Sequence, residues 1–310
     1  MMSTMKSDTL NTDATIVVPP LAAHGARCRC AVHGRRLFTG ALLAGGALAA
    51  APALAQIPEC RRSKATRLVP ADQVEDAAQQ QYRQMLQQAS SQRALAPAEN
   101  PQLQRLRFIA ERIIPFTAEC NSRAQQWRWE VNLLGSKQVN AFCMPGGKIA
   151  FYYGILQQLQ LDDDEVAMIM GHEVAHALLE HARERMAKNM GTNLLLRGGA
   201  ALLGLGSLGD AAAQMGSQLV SLTFSRDDES EADALGLVMG ASAGYDPRAG
   251  VRLWQKMGAI SGGNAPPQWL STHPSGESRI REIEARLPNV MPTFQAAAKP
   301  GRRFAAPQKA

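Results

Sequence analysis

Apolar and polar positions alternate along this chain in two distinct periods. Between residues 102 and 114, Leu103, Leu106, Ile109 and Ile113 recur three and four apart, the spacing of one helix face. Three short runs then follow: WRWEVNLL (127–134), QVNAFCM (138–144) and KIAFYYGIL (148–156). They read as strands, and Pro145-Gly146-Gly147 is a turn signal between the last two, so the expectation is a small antiparallel meander. Helical spacing resumes after Asp162 or Asp163, either of which suits the cap, and continues to about Met186.

Gly191 and the segment RGGAALLGLGSLGD interrupt that pattern and read as a buried loop or hairpin rather than a membrane span. A further helical stretch covers 212–240, another helix starts near Pro247 and runs to about Gly258, and STHPSGESRIREIEARL is a loop followed by a terminal helix. Upstream, the Gln- and Ala-rich residues 56–100 read as a helix that ends near a Pro-containing linker. Residues 291–310, rich in Ala, Pro and Lys, read as a disordered tail. No internal repeat is visible. The pattern as a whole predicts an α+β protein, mainly helical with a small antiparallel β-sheet, whose main domain spans 101–290.

With 310 residues, 45% hydrophobic and 19% charged, the chain can bury one full core. Its net charge is +6, but it has no block of basic residues and none interleaved with aromatics, so nucleic acid is not an expected partner. Residues 1–55 read as an export signal: Arg35-Arg36, an apolar run from Leu37, then Ala53-Leu54-Ala55. The Arg pair with Leu37-Phe38 resembles a twin-arginine signal, although 34 residues precede it. Cleavage near Ala55 would deliver the chain to the periplasm; the alternative is an anchor through residues 37–55. That region holds five Lys/Arg and two Asp, so the remainder carries 28 basic against 25 acidic residues, a balance of +3. It keeps Cys60, Cys120 and Cys143, of which one pair can bridge, and sequence leaves the pairing open.

The chemistry concentrates in GHEVAHALLEH, residues 171–181. His172 and His176 are four apart in a helical pattern, about 400° of rotation, so both rings leave one face a turn apart. Two such imidazoles can hold one zinc ion, and the adjacent Glu173 is placed as general base toward a water. This is the His-Glu-x-x-His pattern of zinc peptidases. His181, about 900° from His172 on a continuous helix, falls on the opposite side and reads as a solvent-facing or capping residue. A third ligand must come from elsewhere, and SRDDESEADALG offers it. Glu229 and Asp233 share a face with Ala232, Gly236 and Gly240, a stripe small enough for close helix packing, whereas Glu231 belongs to another face. Glu229 is therefore assigned as ligand and Asp233 as the group that fixes a histidine ring through its other nitrogen. His273 is read as an oxyanion stabiliser, as a fourth ligand that holds the enzyme latent, or as a loop histidine with no catalytic part; Arg279 reads first as an ordinary helix-surface arginine and second as a nearby charge that helps stabilise the reaction.

GHEVAHALLEHARER followed by SRDDESEADALG resembles the HtpX-like and CAAX-prenyl-protease-like zinc metallopeptidases, with the soluble periplasmic BepA-like branch nearest. NAFCMPGGKIAFYYGIL, GYDPRAG and STHPSGESRI carry the same resemblance, which covers about residues 100–288. It implies a gluzincin fold, one zinc per chain held by His172, His176 and Glu229, and Glu173 as general base. It also implies a zinc endopeptidase of the cell envelope that acts on misfolded or misassembled proteins, with peripheral association to the membrane or the outer-membrane assembly machinery. The chain departs from the membrane-embedded prenyl proteases in having no convincing transmembrane helix. Substrate is expected along an edge strand at Lys148, Ile149, Ala150 and Phe151. The rival expectation is a periplasmic chaperone or assembly factor with a latent or structural zinc; oligomeric state is left open.

Overall fold

The computed structural model describes residue 16 and residues 60–196, 219, 222–260, 267–273 and 277–308. After a short 3-10 turn at Lys64–Leu68, helix α1 (Ala71–Ser91) turns Val74, Ala78 and Tyr82 inward at four-residue spacing. The Tyr82 hydroxyl donates to the Ile149 carbonyl at 2.5 Å and accepts from the Asn132 amide at 3.1 Å, which seats α1 on the sheet. Helix α2 (Pro101–Ile113) is capped by Asn100 and buries the stripe predicted for it, Leu103, Leu106, Ile109 and Ile113.

The three expected strands form: β1 (Glu130–Leu134), β2 (Ala141–Met144) and β3 (Lys148–Tyr152). Their order corrects the meander. β3 lies in the middle, parallel to β1 and antiparallel to β2, so the sheet is mixed. The reason lies in the connections. Gly146 and Gly147, at φ 80° and 75°, close a tight β2–β3 hairpin. The link from β1 to β2 instead crosses the end of β3, where the Gly154 amide donates to the Ser136 carbonyl at 2.8 Å. β1 therefore lands on the other side of β3. This also corrects the edge-strand expectation: Lys148, Ile149, Ala150 and Phe151 are buried and paired on both sides. The outer side of β1 receives the Ala96 amide on the Leu133 carbonyl at 3.0 Å and the Ile16 amide on the Trp129 carbonyl at 2.9 Å. Ile16, inside the stretch read as export signal, is itself buried in the core. The Arg35–Ala55 part of that signal lies outside the described residues.

After the short helix α3 (Tyr153–Gln158) comes α4 (Asp163–Leu178), opened by a capping box between Asp162 and Glu165. Every residue from Val166 to Leu178 is buried, with helices on several sides and the sheet on another. The helix does not run on to Met186 as its spacing suggested. It stops at Leu178, Glu180 takes a left-handed conformation at φ 61°, and α5 (His181–Leu196) sets off in a new direction. Arg183 secures the corner, donating to Glu180 at 2.7 Å and to the Val69 carbonyl at 2.6 Å. The glycine-rich segment that follows, and the first part of the helix expected over 212–240, lie outside the described residues.

Helix α6 (Arg226–Ser242) is capped by Ser225, and α7 (Ala249–Ile260), α8 (Gln268–Thr272) and α9 (Glu277–Ala296) complete the fold. The disordered tail expected over 291–310 is corrected: α9 runs to Ala296, and the chain beyond it is strapped to the body. Arg303 donates to Asp164 and the Phe304 amide to Asp163, each at 2.9 Å, while the Phe304 ring packs on Phe108 at 5.7 Å. Composition could not reveal this, because the partners are the acidic start of α4 and the half-buried Phe108 of α2. Cys60 and Cys120 form a disulfide, leaving Cys143 as a buried thiol. No helix among the described residues is long and apolar enough to cross a membrane.

Candidate metal centre

Two glycines set the distance between α4 and α6. A Cβ on Gly236 would meet the His172 nitrogen at 2.7 Å, and one on Gly171 would meet the Gly236 carbonyl oxygen at 2.7 Å. The two backbones touch because neither residue carries a side chain, as the small-residue stripe implied. Glu229 and Asp233, one turn apart on α6, then face His172 and His176 on α4.

His172 Nε2 and His176 Nε2 stand 3.0 Å apart, and each is 3.5 Å from an oxygen of Glu229. His273, just past α8, brings Nδ1 to 2.9 Å from Glu229 Oε1 and 3.3 Å from His172 Nε2. All four residues are buried, and their donor atoms lie within 4.8 Å of one another. A tetrahedral ion with bonds of 2.0–2.1 Å holds its donors about 3.3 Å apart, so three imidazoles and a carboxylate at these separations fit zinc in both geometry and donor type. Burial lowers the His176 pKa well below its ordinary value, which favours the neutral ring that a metal needs. Burial alone would raise Glu229, but the adjacent His176, His273 and His172 rings outweigh it and hold the carboxylate well below the usual range.

Asp233 accepts from His172 Nδ1 at 3.0 Å, so Nε2 keeps its lone pair toward the cluster. Arg279 lies behind both carboxylates: it donates to Asp233 at 2.7 and 2.8 Å and also to Glu229, with its guanidinium 3.8 Å over the Trp254 ring. Arg279 is buried, which corrects its reading as a helix-surface arginine. Glu173 is 3% exposed and accepts from the Trp269 indole N–H at 2.6 Å. Burial pushes its pKa up to about 7, against the lowering influence of His172 and of the Trp269 bond. Beside it, a cleft is lined by residues 140–145 along β2, with His176, Phe224 and His273 on its other walls.

His181 corrects a sequence expectation. It is 2% exposed, neither solvent-facing nor a cap, and its Nδ1 is 2.8 Å from His176 Nδ1. The bend at Glu180 undoes the rotation argument, which holds only for an unbroken helix. Trp269 and Phe224, which stacks on His176 at 4.1 Å, were not legible, because they reach the site from segments with no metal-binding pattern.

Four nitrogen and oxygen donors with a buried carboxylate beside them define the class of metal-dependent hydrolases. Residues 97–287 match the profile of Peptidase family M48, and the chain belongs to that family, a metalloprotease family. It is 32% identical over 252 residues to the mitochondrial metalloendopeptidase OMA1 of Schizosaccharomyces pombe, covering 80% of this chain and 71% of that one. To the Arabidopsis thaliana protein of the same name it is 42% identical over 153 residues, 49% of this chain and 30% of the relative. To a putative beta-barrel assembly-enhancing protease of Vibrio cholerae it is 28% identical over 163 residues, 50% of this chain and 34% of the relative. The chain thus spans only about a third of the length of two of these relatives.

Proposed function

We propose that this chain is a zinc-dependent endopeptidase of the bacterial cell envelope that cleaves misfolded or misassembled proteins. The observation that carries the reading is Glu173, a buried carboxylate beside four metal-donor side chains and open to the β2 cleft. In this reading His172, His176 and Glu229 hold the ion. Zinc bound there supplies Lewis acidity, polarising a carbonyl and acidifying a water. Glu173 takes the water proton and passes it to the leaving amine. The Trp269 indole N–H fixes one carboxylate oxygen. A substrate strand adds to β2, the outer strand that lines the cleft, through backbone hydrogen bonds that demand little sequence preference.

The envelope setting rests on the Arg35–Ala55 signal pattern, with cleavage near Ala55 or anchorage through residues 37–55 as its two forms. The name of the Vibrio relative supports a BepA-like branch and an outer-membrane assembly link. One observation favours a second reading: His273 Nδ1 faces the donor cluster, and a four-donor set suits a latent or structural zinc in an assembly factor.

Metal analysis of the purified protein, with casein digestion by wild type and Glu173→Gln, separates these readings. The expected result is one zinc per chain in both and an activity loss of roughly 10²–10⁴-fold in the variant. Equal activity in both forms would sink the catalytic role. Zinc without activity in either would favour the latent or structural site.

A further inference from the structure

We propose that His181 is a positioning residue that sets the tautomer of His176 and so aims the His176 Nε2 lone pair at the metal. The proposal rests on the zinc reading above. The two Nδ1 atoms are 2.8 Å apart, close enough that one must donate and the other accept. His176 Nε2 points into the donor cluster, 3.0 Å from His172 Nε2 and 3.5 Å from Glu229, where a ligand needs a lone pair. The His176 proton therefore sits on Nδ1 and is donated to His181 Nδ1. His181 then carries its own proton on Nε2, where Glu231 Oε2 lies 3.4 Å away.

The arrangement parallels the one around His172, whose Nδ1 is held by Asp233 at 3.0 Å. Each metal-facing histidine thus has a separate partner on its far nitrogen, and the two partners come from different elements. The backbone supports the assignment. Glu180 is held at φ 61°, a left-handed conformation that is unfavourable for a residue with a side chain. Without that bend residue 181 would lie across the helix from His176. Phe224, stacked on His176 at 23° between planes, fixes the ring's orientation but cannot choose between its nitrogens; the hydrogen bond does.

The test uses the intact protein, zinc competition against a chromogenic chelator, and ¹⁵N spectra of labelled histidine. His181→Leu removes the acceptor. His181→Asn restores one, since its Oδ1 stands where Nδ1 was. The expected result is zinc affinity about 10–100-fold weaker for His181→Leu and within about threefold of wild type for His181→Asn. The metal-free forms should melt within a few degrees of one another. In the zinc-loaded wild type, the shifts should report a proton on Nδ1 of His176 and on Nε2 of His181. Equal zinc affinity in wild type and His181→Leu, equal losses in both variants, or a His176 proton on Nε2 would overturn the positioning role while leaving the zinc site intact. A wild type that takes up no zinc would overturn the zinc reading and this proposal with it. The spectra are read on the wild type, so the test stands even where His181→Leu does not fold.

Discussion

Arg279 carries more of the site's electrostatics than its loop-side position in the sequence suggests. Its guanidinium is buried and bonds two buried carboxylates one helical turn apart, Glu229 and Asp233. Burial would push both carboxyls toward protonation, and the cation beside Asp233 is the main influence that holds it low. Arg279→Met leaves that pair uncompensated, and removal of one partner from a buried ion pair typically costs about 3–5 kcal/mol. We expect a loss of that size in urea unfolding of the metal-free protein, partly recovered with zinc, because a divalent cation replaces charge next to Glu229. A loss below about 1 kcal/mol would show that the carboxylates find other partners. At this scale His172, Glu173, His176, Glu229 and Asp233 were legible, since spacing within one helix fixes which side chains share a face. His181 was not, because one left-handed residue without a glycine to announce it redirects the chain.

At the scale of elements, the packing of α6 on α4 decides whether the donors meet. Gly236→Ala forces backbone away from backbone, with no flexible side chain to yield. Overpacking of this kind costs about 1–3 kcal/mol. Because α6 also carries Glu229, zinc affinity should fall together with stability. Gly258, on α7, has nothing within 4 Å of an added Cβ. Gly258→Ala should therefore stabilise by about 0.5–1 kcal/mol and leave zinc binding unchanged. Thermal unfolding and chelator competition on both variants check the pair, and similar behaviour of the two would remove the close-packing argument. The strands were legible as runs, but their order was not. A run of apolar residues shows that a segment pairs, whereas the neighbour it pairs with depends on how the connecting backbone crosses the sheet.

For the whole molecule, the Cys60–Cys120 bond ties the segment before α1 to the core across a separation of 60 residues. Chain-entropy reasoning assigns a loop of that length about 4 kcal/mol. Reduction with dithiothreitol should lower the unfolding free energy by that order, and Cys143, buried in the sheet, should resist thiol reagents until the protein unfolds. Rapid labelling of Cys143 in the native protein, or indifference of stability to reduction, would contradict this.

The sequence by itself determined the helical face bearing two imidazoles and a carboxylate, the small-residue face bearing Glu229 and Asp233, and the α+β character of the domain. These are local consequences of 3.6-residue and two-residue periods. Only the tertiary structure decided that β3 is central, that the last residues strap onto the acidic start of α4, that Cys60 meets Cys120, and that Trp269, His181 and His273 converge on the site. Those contacts join residues far apart in sequence or across a broken helix, and what brings them together is the burial of a shared core, which no local period encodes.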